Sequence, residues 1–270
     1  MKEKNKNKNR VKALLFILAL TYFTFITGEF FLAVSLLAMI FVHENGHLWA
    51  ARRKGFKTRG IVFLPIGGVA FVEGLEKADR DDEAFIAIMG PIWGLAFSFI
   101  FVVIYHFTGF FEFLKIGGIL CLVNLLNMLP LNPLDGGRIS KSIIFSMNRK
   151  LGLFSMCCMI AMALFMAIWW HIYIFYLVAF FCCIDFADER NKNFSDYEMG
   201  KIVGKQGWEA IKNQGMNIIV EKPKKKSMSY PKMFLYTLIS CVIFVVASIP
   251  IVTWADQDKS QSNTEEVIDK

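Results

Sequence analysis

Histidine is scarce in this chain: there are four in 270 residues, and two of them, His43 and His47, stand one helical turn apart. Acidic residues are almost missing from a long central stretch, where Asp135 is the only one between Lys115 and Asp185. The six cysteines (Cys121, Cys157, Cys158, Cys182, Cys183 and Cys241) all fall in apolar runs, and no two are spaced C-x-x-C. That excludes a zinc knuckle and a secreted disulfide framework, and they read as small core residues. Extended polar sequence is also short. The longest such stretch, 187–232, contains EKPKKKSMSYPK, a juxtamembrane polybasic segment, and a stretch of weak helical periodicity, but no catalytic pattern. There is no internal repeat.

Hydrophobicity is what the sequence has in excess. Hydrophobic residues make up 55% of it, including 27 Phe. They gather in runs of about 17–25 residues, the length a helix needs to cross roughly 30 Å of hydrocarbon. The pattern predicts an all-α polytopic membrane protein with about seven transmembrane helices, near 12–27, 30–50, 85–107, 116–134, 152–168, 170–186 and 233–254. The first is expected to be a retained signal-anchor, because no small-x-small cleavage site follows it and a second apolar run starts at Phe30.

The net charge of +7 is read against membrane topology, with no nucleic-acid partner expected. Lys2, Lys4, Lys6, Lys8, Arg10 and Lys12 precede the first run. Arg52, Arg53, Lys54, Lys57 and Arg59 follow the second, and Arg138, Lys141, Arg149 and Lys150 follow the fourth. The opposite loops carry little charge beyond Glu29, Glu112 and Lys115. The positive-inside rule therefore puts the N-terminus in the cytosol and the acidic tail, 255–270, outside. The short basic N-terminus suits a multi-pass protein of a bacterial plasma membrane.

Against this background, FVHENGHLWAARRKG at 41–55 is anomalous, because ionisable groups at membrane depth are costly and mark function. On a helix, His43 and His47 share a face and can hold one metal ion, with Glu44 beside them as a general base. A zinc peptidase site needs a third protein ligand and an open fourth position for water. The lone carboxylate Asp135 is the candidate. It sits in NLLNMLPLNPLDGGRIS, 124–140, after Pro130 and Pro133, which interrupt the helix, and before Gly136 and Gly137, read as permitting a tight turn. His43 precedes Arg52 by nine residues, roughly 13 Å of helix, so the site should lie shallowly below the cytosolic interface. Taken separately, these stretches also suit a snorkelling helix end and a Pro-Gly loop. Two other classes of function remain open: a divalent-metal transporter and a non-catalytic membrane protein that binds a partner.

HENGH at 43–47 together with NMLPLNPLDGG at 127–137 resembles the site-2 protease family of intramembrane zinc metalloproteases, whose patterns are H-E-x-x-H and N-x-x-P-x-x-P-L-D-G. The resemblance covers roughly 30–140. It implies a three-helix catalytic core, one Zn2+ held by His43, His47 and Asp135, and Glu44 as general base. It also implies a role for Asn127 near the substrate or the developing oxyanion. FLPIGGVAF, 63–71, resembles the family's membrane-associated hairpin (expected at 61–72), with Gly67, Gly68 and Val69 binding an unwound substrate strand. AIMGPIWGLAF resembles its Gly-Pro helix, where Gly90 and Gly94 allow close packing. The partners implied are a lipid bilayer and a transmembrane protein or membrane-bound peptide substrate. The resulting division is 1–29 (basic N-terminus and first helix), 30–140 (core), 141–186 (two further helices), 187–232 (cytosolic segment), 233–254 (last helix) and 255–270 (tail).

Overall fold

The computed structural model describes residues 2–64, 67–75, 78–169, 171–203 and 227–268. Its helices are α1 (Lys2–Thr27), α2 (Phe30–Arg53), α3 (Arg80–Thr108), α4 (Phe111–Asn127), α5 (Asp135–Met147), α6 (Arg149–Trp169), α7 (Ile174–Val203) and α8 (Tyr230–Ile268). One antiparallel hairpin, β1 (Thr58–Leu64) and β2 (Gly67–Val72), lies between α2 and α3. Each of the seven expected apolar runs contains a helix. Among the described residues, four helical stretches are long and apolar enough to cross a membrane: Phe30–Arg53, Arg80–Thr108, Arg149–Trp169 and Tyr230–Gln257. Ala13–Thr27 is apolar but shorter.

The chain departs from the expected boundaries in four places. The run expected to span 116–134 is helical only to Asn127, because Pro130 and Pro133 cannot continue the backbone ladder. Residues 135–147 are not a loop but α5, an amphipathic helix that opens on Asp135. The apolar run at 170–186 continues as helix to Val203, and the last helix continues into the tail as far as Ile268. Part of the segment expected to be cytosolic, 204–226, lies outside the described residues, as do Pro65 and Ile66.

α2, α3 and α4 pack around Leu32, Leu36, Met39, Ile116 and Leu120. α8 lies against α3, α4 and α5 through Tyr236, Ile243 and Ala247, which join Ala84, Ala87, Cys121 and Ile139. α6 and α7 close over the segment between α4 and α5, where Leu131 is buried with Met159, Ala163, Ala179 and Cys182. Elsewhere the helices leave large apolar side chains uncovered, among them Phe107, Phe154, Phe165, Phe180 and Phe234, as a lipid-facing surface does.

Polar contacts sort the helix ends into two sets. At one end of the bundle, Lys54 after α2 pairs with Asp82 of α3 at 2.7 Å, and Lys232 of α8 pairs with Asp81 at 2.5 Å. At the other, Lys115 of α4 pairs with Glu29 before α2 at 2.6 Å, and Tyr105 of α3 donates to Gln257 of α8 at 2.9 Å. α2 and α4 therefore run one way and α3 and α8 the other.

Candidate metal centre

The second half of α2 carries His43, Glu44 and His47, and the N-terminus of α5 carries Asp135. The first helical turn of α5 is drawn tightly onto the end of α4. A Cβ at Gly136 would collide with the Met128 backbone, and one at Gly137 with the backbone of Leu131 and Asn132. The two glycines serve close approach within a helix, not the tight turn expected of them. Their smallness lets α5 dock where Asp135 reaches α2.

Asp135 Oδ2 lies 3.0 Å from His43 Nε2 and 3.2 Å from His47 Nε2, and the two ring nitrogens are 3.1 Å apart. All three residues are buried. A tetrahedral zinc ion with ligand distances of about 2.0–2.1 Å separates its ligands by about 3.3 Å. The three atoms thus have nearly the spacing that such an ion requires.

The tautomers agree with this spacing. His43 Nδ1–H donates to Asn124 Oδ1 at 3.0 Å, and His47 Nδ1–H donates to the Ile86 carbonyl at 2.7 Å. Each leaves an Nε2 lone pair facing the common point, the arrangement by which outer hydrogen bonds orient ligating histidines. Asn124 itself is fully packed: its amide donates to the Leu120 carbonyl at 3.0 Å and approaches Met39 Sδ at 3.2 Å.

Close helix packing makes room for the rings. A Cβ at Gly90 of α3 would overlap the His47 imidazole, and one at Gly94 would overlap the Asn124 amide. The two glycines expected to allow close packing are thus those that face the metal ligands and their supporting amide.

A carboxylate oxygen of Glu44 lies within 4.8 Å of a ring nitrogen of each of the two histidines. Its Oε2 accepts the Ala70 main-chain N–H of β2 at 2.8 Å. Asp135 touches both ring nitrogens directly, so it is the third ligand candidate, and Glu44 is the carboxylate beside them. Asn127 Nδ2 donates to Asp135 Oδ2 at 2.7 Å and lies 3.1 Å from His43 Nε2, which places its amide at the edge of the ligand cluster.

The hairpin lies over α2. Gly68 faces Ile40 and Glu44, where a Cβ would press on both side chains, while Gly67 opens the strand at φ +150° and Val69 is partly exposed. Of the candidate residues, then, His43, Glu44, His47, Asp135 and Asn127 converge, and Gly68 lies against Glu44. Asn124 and the Ile86 carbonyl complete the site without having been foreseen. A buried asparagine one turn before Asn127 in an apolar helix is the signal that could have pointed to the first, whereas a main-chain carbonyl leaves no trace in sequence.

These features define a membrane protein, with four helices long and apolar enough to cross a bilayer among the described residues, that carries the candidate ligand set of a metallopeptidase. Residues 31–115 match Peptidase family M50, the family to which the two motifs point. The chain is 33% identical over 144 residues to Zinc metalloprotease MJ0392 of Methanocaldococcus jannaschii, a match covering 48% of this chain and 40% of that protein. It is 26% identical over 145 residues to Stage IV sporulation protein FB of Bacillus subtilis, covering 49% of each. It is 34% identical over 122 residues to Putative zinc metalloprotease Rip3 of Mycobacterium tuberculosis, covering 42% of this chain and 30% of that one. The chain spans less than half the length of these relatives.

Proposed function

We propose that the protein is a zinc-dependent intramembrane endopeptidase that hydrolyses a peptide bond in or near a transmembrane segment of a membrane protein or membrane-bound peptide. The observation that carries this reading is the convergence of three buried ligand atoms, 3.0–3.2 Å apart, beside a carboxylate that none of them needs as a partner. His43, His47 and Asp135 would hold the ion, which when bound supplies a Lewis acid and a water acidic enough to attack at neutral pH. The core is 30–140, with seven helices crossing the bilayer and the N-terminus in the cytosol of a bacterial cell.

Each residue has a distinct task. Glu44 takes a proton from the attacking water on Oε1, because the Ala70 N–H already holds Oε2. It returns that proton to the leaving amine. The Asn127 amide donates to the oxygen of the scissile carbonyl as charge develops there. An unwound substrate segment lies along β2 at Gly67, Gly68 and Val69, which presents its carbonyl to Glu44. The break between α4 and α5 gives water a route to the site.

The test is Glu44→Gln in native cells, read by terminal-peptide mapping of the membrane fraction, with zinc content measured on the purified protein. Cleavage should fall by about 10²–10⁴-fold, the range a general base contributes, with zinc retained. Uncut substrate should accumulate. Unchanged cleavage, or loss of zinc from the variant, would overturn the assignment.

A further inference from the structure

A second, largely buried polar cluster lies next to the metal centre; Asn132, Lys141, Arg149, Asp185 and Glu189 fall outside the segment 31–115 that matches the peptidase family, and Arg80 and Glu83 fall inside it. Asn132, three residues before Asp135, donates its amide to Asp185 Oδ2 of α7 at 2.6 Å, and its own carbonyl accepts the Cys182 thiol at 2.6 Å. Lys141 of α5, buried, donates to both Asp185 oxygens at 2.7 and 2.6 Å and lies 3.2 Å from Glu189. Arg80 of α3 reaches Glu189 at 3.4 Å and Glu83 at 3.3 Å, and Arg149 of α6 donates to the Glu189 carbonyl at 3.0 Å.

Lys141 and Arg80 link the carboxylates of Asp185, Glu189 and Glu83, and Arg149 adds a third cation at the Glu189 carbonyl, so this is no second metal site. A buried ion cluster is also a poor device for stability alone, because desolvation offsets most of the attraction. What it does supply is geometry. The α4–α5 connection makes only short-range backbone bonds, at Met128, Leu129, Leu131 and Leu134, and its polar side chain is fixed from α7, while Leu131 and Leu134 pack onto α6 and α7.

We propose that Asn132, Lys141 and Asp185 are positioning residues for the metal centre: they clamp the α4–α5 connection to α7 so that Asp135 stands at ligand distance from His43 and His47. The inference rests on the metallopeptidase reading and extends the site's support to α7. In that arrangement Asp185 acts through Asn132, and Lys141 holds the half-buried Asp185 carboxylate with two hydrogen bonds.

The experiment is a zinc competition titration against a chelator on the purified full chain in detergent, with thermal unfolding of the metal-free protein alongside. Asn132→Ala leaves the Lys141–Asp185 pair intact and should weaken zinc binding about 10–100-fold, as loss of outer support to a ligand does, with metal-free unfolding unchanged. Lys141→Met/Asp185→Leu removes both charges together, so neither is left unpaired. It should weaken binding to the same extent, and adding Asn132→Ala should produce no further loss, because one linkage is being cut twice. Wild-type zinc affinity in both variants would overturn the proposal and leave the peptidase reading standing. A wild-type protein that binds no zinc would overturn both.

Discussion

At the scale of single residues, the site depends as much on what stands behind the ligands as on the ligands. Asn124 Oδ1 accepts the His43 Nδ1 proton, and no other acceptor for that proton is evident among its contacts. Replacing it with leucine keeps the volume and removes the acceptor, so His43 loses both its tautomer preference and its ring orientation. Asn124→Leu should weaken zinc binding about 10–100-fold, measured by chelator competition, while Glu44 remains in place. An unchanged affinity would mean that ring packing alone orients His43. The contrast with the ligands is instructive. His43, Glu44 and His47 are legible because helical periodicity converts i, i+4 spacing into a shared face, and Asp135 is legible because no other acid lies near it in sequence. Asn124 belongs to no spacing rule: its role comes from the crossing of α4 over α2, which Gly94 permits by lying against the amide.

The same division between what is and is not legible holds for the elements. An apolar run lies in each of the long helices, and in four of the described ones it is long enough to cross a membrane, because burial in lipid imposes length and composition directly. The short helix α5 was not marked, since Pro133 and the Gly-Gly pair suggested a turn. Only the packing of its first turn against Met128 and Leu131 shows why glycine is needed inside a helix there. The hairpin was visible as two β-rich stretches flanking Gly-Gly, but not its direction of approach. Val62 pairs with Val69 and Ile61 with Ala70, and Ala70 turns its N–H away from β1 toward Glu44. That edge of β2 therefore faces Glu44, the proposed general base. Ala70→Pro deletes this one donor and leaves the pairing to β1, a substitution that an edge strand tolerates. Loss of a hydrogen bond to a charged acceptor costs about 1.5–3 kcal/mol. Cleavage should accordingly fall by about tenfold or more, with zinc content unchanged, as measured by turnover and metal analysis on the same preparation. Full activity would show that Glu44 is oriented by other contacts.

At the scale of the whole molecule, two independent kinds of charge information address topology. One is the one-sided distribution of Lys and Arg along the chain. The other is the pairing of helix ends, which the sequence could not supply because the partners are far apart: Lys232 with Asp81, Lys54 with Asp82, and Lys115 with Glu29. These pairs put the C-terminal end of α2 and the N-terminal ends of α3 and α8 on one side, and the start of α4 on the other. The first side also carries Arg52, Arg53 and the buried cluster around Arg80 and Lys141, so it is the side the basic residues assign to the cytosol. His43 stands nine residues before Arg52, which puts the metal centre within roughly 13 Å of that interface along the helix. Water would reach the site from the cytosol, and the substrate would be cut near its cytosolic end. Single cysteines introduced in a background cleared of native cysteine test this arrangement. A cysteine at Lys57 or Lys232 should react with a membrane-impermeant maleimide only after the cytosolic face is opened, and one at Glu112 should react in intact cells. Labelling of all three from the same face would break the alternation of α2, α3, α4 and α8, and with it the placement of the metal centre near the cytosol.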